Sequence, residues 1–277
     1  CVNALYEARA LREAGVKARL YLVGYTGLGE LAEALNLGCE LVVYNHETLD
    51  AIEQLPPAAP AKLHVKLETG NNRQGLAPDA AFALASRIAA SANASLAGIA
   101  SHYANVEDTT DHAYARTQLR RFTKFCDQLQ EAGISPGLRH MSNSAAAILW
   151  PEQCLDMVRV GISAYGMWPS KETLVAALMS GRRDLTLEPA LTWKCKVAQV
   201  KEVPAGAYIG YGCSYRTTHP TKLAILPIGY YDGYDRALSN VAHVLIEGHR
   251  APVRGRVCMN IVMVDVTNVP DVTIESE

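Results

Sequence analysis

The sequence lacks the features that mark several classes of protein. No apolar run approaches the roughly eighteen residues of a membrane-spanning helix, and no secretory segment is visible. Its seven cysteines include no Cys-x-x-Cys pair, which disfavours a zinc site and favours reduced, mostly buried thiols in a cytoplasmic protein. A net charge of −2 gives no attraction for nucleic acid or anionic membranes. We therefore expect a cytoplasmic protein without nucleic-acid or membrane partners.

Short apolar runs alternate with helical periodicity in the first part of the chain. Each run ends in polar groups, and stretches with helical spacing fill the intervals. Two examples are Phe82, Ala85 and Ile88 after Pro78, and Phe122, Cys126 and Leu129 in a segment that stops at Gly133. This alternation predicts a parallel sheet closed into a TIM-type (β/α)8 barrel, with its active site at the C-terminal strand ends. The seven runs are 2–5, 20–24, 41–45, 63–69, 96–103, 137–144 and 157–163.

The number of runs is one short of a complete barrel. Cys1 opens the chain inside a strand–helix unit, where a methionine or a first strand is expected. The chain ends at Glu277 without a cap or a polar tail. We therefore expect that the first strand is missing and that the C-terminal domain is cut as well.

The pattern changes near residue 185. Beyond it, β-branched runs at 191–203, 222–228, 241–247 and 261–266 are separated by glycine and proline, without a helical stretch long enough for a crossover. Such runs predict a mostly antiparallel β domain. We expect a barrel domain over residues 1–185 and a β domain over 186–277.

Polar residues at the ends of the runs are candidates for a site at the barrel mouth. Lys66 lies between Val65 and Leu67, so its side chain is expected to point into the barrel, where an unpaired ammonium is costly. A lysine that snorkels to the surface is the alternative. Arg73 follows in a loop, where its forked donors suit a carboxylate, although a solvated loop arginine fits as well.

The last two runs carry a second group of candidates. Asn143 or Ser144 is expected to cap an alanine-rich helix, whose free N–H groups can bind a phosphate. Arg159 alternates inward on the next run, and Gly161 allows the backbone to approach a ligand. In such barrels the loops after the last two strands often hold a phosphate. Because these two segments occupy those positions, they predict a phosphate site. A helix cap without a ligand is the alternative.

Seven motifs follow one another in a characteristic order. They cover residues 66–75, 101–104, 141–146, 159–166, 209–212 (Ile-Gly-Tyr-Gly), 227–234 (Pro-Ile-Gly-Tyr-Tyr-Asp-Gly-Tyr) and 255–260 (Gly-Arg-Val-Cys-Met-Asn). Together they resemble the alanine racemases, fold-type-III pyridoxal-phosphate enzymes, over essentially the full chain. The resemblance implies interconversion of L-alanine and D-alanine by a two-base mechanism, which supplies D-alanine for peptidoglycan.

The resemblance also implies roles toward the substrate. Arg73 is similar to the arginine that holds the substrate carboxylate, and Lys66 to the often carbamylated lysine that orients it. Tyr211 resembles the tyrosine base, and Met259 the residue whose backbone contacts the substrate. Both lie in the β domain, which in this family reaches the barrel mouth of the other subunit. A head-to-tail homodimer is therefore implied.

The remaining assignments concern the cofactor, pyridoxal 5'-phosphate. Arg159 resembles the arginine that faces the pyridine nitrogen, and His102 the histidine that links Arg159 to the catalytic tyrosine. An arginine there disfavours protonation of the ring nitrogen and suppresses side reactions. The phosphate cradle that the resemblance implies comprises Asn143, Ser144, Gly161 and Ile162, with Tyr230 near it.

The sequence departs from the family pattern in four places. The Lys-Ala-Asn-Ala-Tyr-Gly-His-Gly segment, whose lysine binds the cofactor covalently, has no counterpart, so we expect the chain as written to be inactive. The final tyrosine at the substrate gate is missing too. Asn71 and Asn72 replace the commoner Met-Gly before Arg73, and Asn260 replaces an aspartate, which leaves alanine and serine open as substrates.

Two other functions compete with a racemase of alanine, serine or broader specificity. A fold-type-III amino-acid decarboxylase shares the barrel and the β domain, but it places an acidic residue where Arg159 stands. A non-catalytic module that binds pyridoxal phosphate would suit the missing lysine. Such a module has no chemical need for Tyr211, Arg73, His102 and Arg159 together.

Overall fold

The computed structural model describes residues 1–56 and 59–277. The chain divides into two compact units, Cys1–Ala190 and Leu191–Glu277. The first contains helices and a parallel sheet, and the second contains short antiparallel sheets. The division into functional domains at 1–185 and 186–277 stays a prediction.

Five parallel strands pair in chain order in the first unit: β1 (Leu20–Leu22), β2 (Cys39–Val43), β3 (Ala61–Lys66), β4 (Ala94–Ala100) and β5 (Leu138–His140). Its helices are α1 (Leu5–Glu13), α2 (Leu31–Asn36), α3 (His46–Glu53), α4 (Pro78–Ala90), α5 (Ala113–Glu131), α6 (Ser144–Leu149) and α7 (Lys171–Met179). A parallel sheet in chain order with helices between its strands is the arrangement of a half-barrel.

The described sheet has fewer strands than the seven runs predicted. The run at 2–5 contributes an isolated parallel bridge between Val2 and Leu22. The run at 157–163 forms no strand in the described chain, and Arg159 N donates to Ser142 O at 3.0 Å instead. Both runs lie at an edge of the sheet, where a strand has a neighbour on one side only and its hydrogen-bond ladder is incomplete.

The core of the first unit is built by the helix faces that the sequence predicted. Ile88 of α4 and Phe122 and Leu129 of α5 are fully buried. The helix α5 ends where Gly133 adopts φ 77°, and the amide of Ile134 donates to the Leu129 carbonyl at 2.9 Å. This left-handed glycine followed by a backward hydrogen bond is a common helix ending. The predicted helices over these residues are confirmed.

The second unit consists of β6 (Gln199–Val203), β7 (Tyr208–Ile209), β8 (Tyr215–Arg216), β9 (Thr221–Leu226), β10 (His243–Ile246), β11 (His249–Pro252) and β12 (Val262–Asp265). They form sheets β12-β9-β6, β10-β11 and β7-β8, and every pairing is antiparallel. The predicted antiparallel character is confirmed. The run at 191–203 becomes a strand only from Gln199, because earlier residues pair elsewhere, as Val197 N does with Ser276 O.

All seven cysteines are free thiols. The expectation that most are buried is wrong, since only Cys39 and Cys126 are buried. Cys1 is exposed because it lies at the chain end, and Cys213 is exposed because it ends the short 3-10 helix Tyr211–Cys213, none of whose residues is buried. Within residues 1–56 and 59–277, no helix has the length and apolar character to cross a membrane.

Leu41→Ala should destabilise the first unit, because Leu41 is 1% exposed on β2 and pairs with neighbours on both β1 and β3. The cavity left behind should cost about 2–5 kcal/mol of unfolding free energy. Leu28→Ala, at a side chain that is 47% exposed, is the matched control and should change it by less than about 0.5 kcal/mol. Urea unfolding measures both, and equal midpoints would contradict this core.

Candidate active site

A cleft of about 1220 Å³ lies at the C-terminal ends of the strands in the first unit. Gly24 and Tyr44 follow β1 and β2, Lys66 ends β3, and His102 follows β4. In a barrel, side chains from different strands converge at this end. The cleft therefore lies at the edge of the sheet where the sequence places the site.

The cleft is cationic. Its walls carry Lys66, Arg73, His102 and Arg159, and no aspartate or glutamate of the described residues lines it. Lys66 is 4% exposed, whereas Arg73 is exposed to solvent. A cavity lined by positive groups without a compensating carboxylate attracts anionic ligands.

Lys66 has a strongly altered acidity. Its Nζ donates to the carbonyl oxygen of Ser101 at 3.3 Å, and Arg159 Nη2 donates to the same oxygen at 2.6 Å. Burial, reinforced by the positive charges of Arg159 and Arg73, lowers the pKa of Lys66 to about 7. The neutral amine is therefore abundant near neutral pH.

Arg159 is held in the cleft by neutral acceptors. Its Nη1 donates to His140 Nδ1, and its Nη2 contacts the Ser101 carbonyl at 2.6 Å and His102 Nδ1 at 3.3 Å. Burial, followed by the charge of Arg159, lowers the pKa of His102 to about 3 and that of His140 to about 2. Both rings are thus neutral, and Arg159 keeps its full positive charge for a ligand.

One hydroxyl joins two helix starts in the first unit. Asn143 caps α6, its side chain accepting from Ala146 N at 3.0 Å. Ser144 Oγ accepts from the backbone N–H of Gly161 at 3.0 Å, directly before the short 3-10 helix Ile162–Tyr165. A Cβ added at Gly161 would meet no atom within 4 Å, so open space lies before this backbone. N–H groups at helix starts suit a phosphate.

The other predicted residues lie in the second unit, where Tyr211, Tyr230 and Met259 line one pocket of about 930 Å³. Tyr230 N donates to Cys258 O at 3.0 Å, which fixes the two loops on each other. Gly229 makes this approach possible, because a Cβ there would stand 2.2 Å from the Cys258 carbonyl oxygen. The Tyr211 side chain is 73% exposed and Met259 is 55% exposed.

Sequence reasoning missed a group of polar side chains behind Arg159. Tyr21, Glu40, His64 and His140 are all buried in the first unit, each at 5% exposure or less. Tyr21 and Glu40 each interrupt an otherwise apolar strand, and a buried polar group needs a partner. That interruption was the signal available in the sequence.

Two family models match the chain: "Alanine racemase, N-terminal domain" over residues 1–169 and "Alanine racemase, C-terminal domain" over residues 190–277. The alanine racemase of Desulfovibrio desulfuricans is 40% identical over 100% of this chain, which covers 72% of that relative. The alanine racemase of Desulforamulus reducens is 38% identical, with 100% of this chain and 73% of the relative covered.

Solved structures agree with these matches. Alanine racemase from E. faecalis has a TM-score of 0.87 at 31% identity, covering 100% of this chain and 72% of its own. The enzyme from Streptomyces lavendulae has a TM-score of 0.86 at 32% identity, covering 99% of this chain and 70% of its own. The fold is that of an amino-acid isomerase with a TIM-type barrel and a β domain. The chain belongs to the alanine racemase family.

Lys66→Met should stabilise the protein in buffer free of carbon dioxide. Folding lowers the pKa of Lys66 from 10.5 to about 7. Between these values the unfolded state binds more protons, so the stability of the unsubstituted protein rises with pH. The gain from the substitution should therefore be largest at pH 7 and below, at up to about 4 kcal/mol, and should vanish above about pH 10.

Unfolding free energies measured from pH 6 to pH 10 test this prediction. Lys124→Met, at an exposed position on α5, is the control and should show no such trend. A gain from Lys66→Met that does not change with pH would show that Lys66 titrates normally.

Proposed function

We propose that this protein interconverts L-alanine and D-alanine with pyridoxal 5'-phosphate as its cofactor. The observation that carries the proposal is that Lys66, Arg73, His102 and Arg159 gather in one cleft that no carboxylate of the described residues lines. It suits the two anions of the reaction, which are the phosphate of the cofactor and the carboxylate of the amino acid. Membership of the alanine racemase family supports the reaction itself.

The residues present fit pyridoxal phosphate. The open space before Gly161, beside the start of α6 and the start of the 3-10 helix that Ser144 Oγ joins to it, is proposed as the place for its phosphate. Arg159 would face the pyridine nitrogen with N–H donors. When bound, the cofactor withdraws electrons from the α-carbon of the substrate and so acidifies its proton. The residues proposed to hold the phosphate are Asn143, Ser144, Gly161 and Ile162, with Tyr230 as a further contact.

Arg73 would bind the carboxylate of the substrate through its forked donors. Lys66 is proposed to orient Arg73, which an ammonium cannot do because the two positive charges repel. The neutral amine reacts with carbon dioxide, forming an N–C bond and releasing a proton, and the resulting carbamate accepts hydrogen bonds from an arginine. The low pKa of Lys66, about 7, supports this step because it makes the neutral amine available.

Tyr211 is proposed as the proton acceptor on one face of the α-carbon, since racemisation requires an acceptor on each face. A phenol is a weak base unless positive charge and hydrogen bonds favour its phenolate. His102 contacts Arg159 at 3.3 Å. We propose that His102 links the positive charge of Arg159 to Tyr211 and so favours the phenolate. The backbone of Met259 would contact the substrate. A cytoplasmic head-to-tail homodimer, in which the β domain of one subunit completes the cleft of the other, belongs to the same proposal.

The substitution before Arg73 has a structural explanation that concerns the loop and not the substrate. Asn72 stands where the family usually has glycine, and it adopts φ 52°. Asparagine is one of the few residues other than glycine that tolerate this left-handed conformation. Asn71 Nδ2 donates to the Tyr103 carbonyl oxygen at 3.4 Å, so its amide serves the loop. The change therefore preserves the loop and demands no new substrate.

Racemisation by the protein expressed from its complete reading frame is the direct test. L-alanine is incubated with and without added pyridoxal phosphate, and D-alanine is measured by chiral chromatography; L-serine and L-ornithine are run in parallel. Formation of D-alanine that depends on the cofactor supports the proposal. Release of carbon dioxide from L-ornithine, or turnover of serine alone, would contradict it.

Tyr211→Phe should remove one proton acceptor and lower the rate of racemisation about a hundredfold to ten-thousandfold. Deuterium at the α-carbon of L-alanine should no longer exchange with solvent, whereas deuterium in D-alanine should still exchange through the acceptor on the other face. Mass spectrometry of each enantiomer measures the exchange. Tyr6→Phe, at a tyrosine that is 68% exposed on α1, is the control and should exchange normally. Equal loss for both enantiomers would make Tyr211 a structural residue.

A further inference from the structure

A chain of hydrogen bonds runs through the interior of the first unit behind Arg159. Arg159 Nη1 contacts His140 Nδ1, His140 Nε2 contacts His64 Nδ1 at 2.9 Å, and His64 Nε2 contacts Glu40 Oε2 at 3.0 Å. Both rings are fully buried, and Glu40 is 5% exposed. The chain therefore connects the cleft with a carboxylate near the start of β2, at the opposite end of the strands.

Glu40 is a fixed negative charge at that end. Arg19 holds both carboxylate oxygens, with Nε at 2.7 Å from Oε1 and Nη2 at 2.9 Å from Oε2, and Lys62 Nζ lies 3.9 Å from Oε1. Burial opposes ionisation of Glu40, but the hydrogen bonds from Arg19 and His64 outweigh it and lower its pKa to about 2. At neutral pH this carboxylate is ionised and can only accept hydrogen bonds.

The chemistry of the two end groups fixes the direction of the chain. A guanidinium only donates, so His140 Nδ1 has to be the acceptor and its proton sits on Nε2. His140 Nε2–H then donates to His64 Nδ1, which leaves the proton of His64 on Nε2, where it donates to Glu40. Every bond points from Arg159 toward Glu40. A second proton on His64 would make its Nδ1 a donor and break the contact with His140.

Both rings are packed closely against their neighbours. Tyr21 packs against both of them, with ring centroids 4.5 Å from His64 and 5.2 Å from His140. On the other side, a Cβ added at Gly98 would stand 2.4 Å from His64 Nδ1. Because the rings are tightly packed, a shift of protons is the rearrangement that disturbs these contacts least.

We propose that Glu40 is a positioning residue for Arg159: by accepting the last hydrogen bond, it sets both histidine tautomers and so presents a lone pair to the guanidinium. The functional part rests on the proposed function, in which Arg159 faces the pyridine nitrogen. Glu40 touches neither substrate nor cofactor in this role. It acts across the interior of the barrel through His64 and His140.

Glu40→Gln should reverse the chain. Arg19 Nε at 2.7 Å and Lys62 Nζ at 3.9 Å both face the Oε1 position, so the amide oxygen of the glutamine takes that position and its NH₂ turns toward His64. His64 Nε2 then has to accept, its proton moves to Nδ1, and His140 likewise carries its proton on Nδ1. That N–H opposes an N–H of Arg159, so the guanidinium is displaced. Removing Arg19 as well, in Arg19→Ala/Glu40→Gln, frees the amide oxygen for His64 and should restore the original direction.

Nitrogen-15 NMR of the histidine rings tests the direction without any activity. The protein is expressed from its complete reading frame with labelled histidine, and the two rings are assigned from the spectra of His64→Gln and His140→Gln. We expect both protons on Nε2 in the unsubstituted protein, both on Nδ1 in Glu40→Gln, and both on Nε2 again in the double variant. A proton on Nδ1 of either ring in the unsubstituted protein would overturn the proposal, even if Glu40→Gln failed to fold.

Kinetics test the consequence for Arg159. Glu40→Gln should lower kcat for racemisation about a hundredfold with little change in KM, because the guanidinium is misplaced, and the double variant should recover most of the loss. Glu33→Gln is the matched control, since Glu33 pairs with Arg9 at 2.7 Å on the surface, and it should change neither tautomers nor kcat. Reversed tautomers with unchanged kcat would overturn the positioning role. Expected tautomers in a protein that does not racemise alanine would instead overturn the proposed function and support the direction of the chain.

Discussion

The guanidinium of Arg159 dominates the first unit because its charge is buried among groups that cannot neutralise it. It donates to a backbone carbonyl and to two neutral histidines, and no carboxylate of the described residues lines the same cleft. Burial, followed by the charge of Arg159, lowers the pKa of Lys66, His102 and His140. An uncompensated cation at the ends of parallel strands is costly for folding, and such a cost is typical of a site whose missing charge arrives with its ligand.

Much of the fold could be predicted from the sequence because its signals are local. Strand–helix alternation requires only periodicity, and the helices α4 and α5 carry Pro78, Phe122 and Gly133 at positions that fix their starts, faces and ends. The predictions of full strands at 2–5 and 157–163 were wrong. Periodicity indicates only that a segment can adopt an extended conformation, whereas a strand also requires a neighbouring strand with which to form hydrogen bonds.

The candidate site was predictable only in part. Motifs identified Lys66, Arg73, His102 and Arg159, which the structure gathers into one cleft. Glu40 escaped notice, because its significance depends on contacts with residues far away along the chain. A single charged residue in an apolar strand gives no hint of which partner it meets. The direction of each hydrogen bond depends on which groups are adjacent in the folded structure and on which nitrogen carries the proton. Neither can be read from the sequence.

The hydroxyl of Ser144 has a thermodynamic consequence of its own. It accepts a hydrogen bond from the backbone N–H of Gly161 and so connects the start of α6 with the start of the following 3-10 helix as the chain folds. The two loops that flank the open space are therefore ordered before any ligand arrives, and a ligand that enters there loses little affinity to the ordering of loops. The free energy of ordering these loops is thus part of folding and not of binding. A substitution that loosens α6 should therefore weaken ligand binding even if it changes no contact with the ligand.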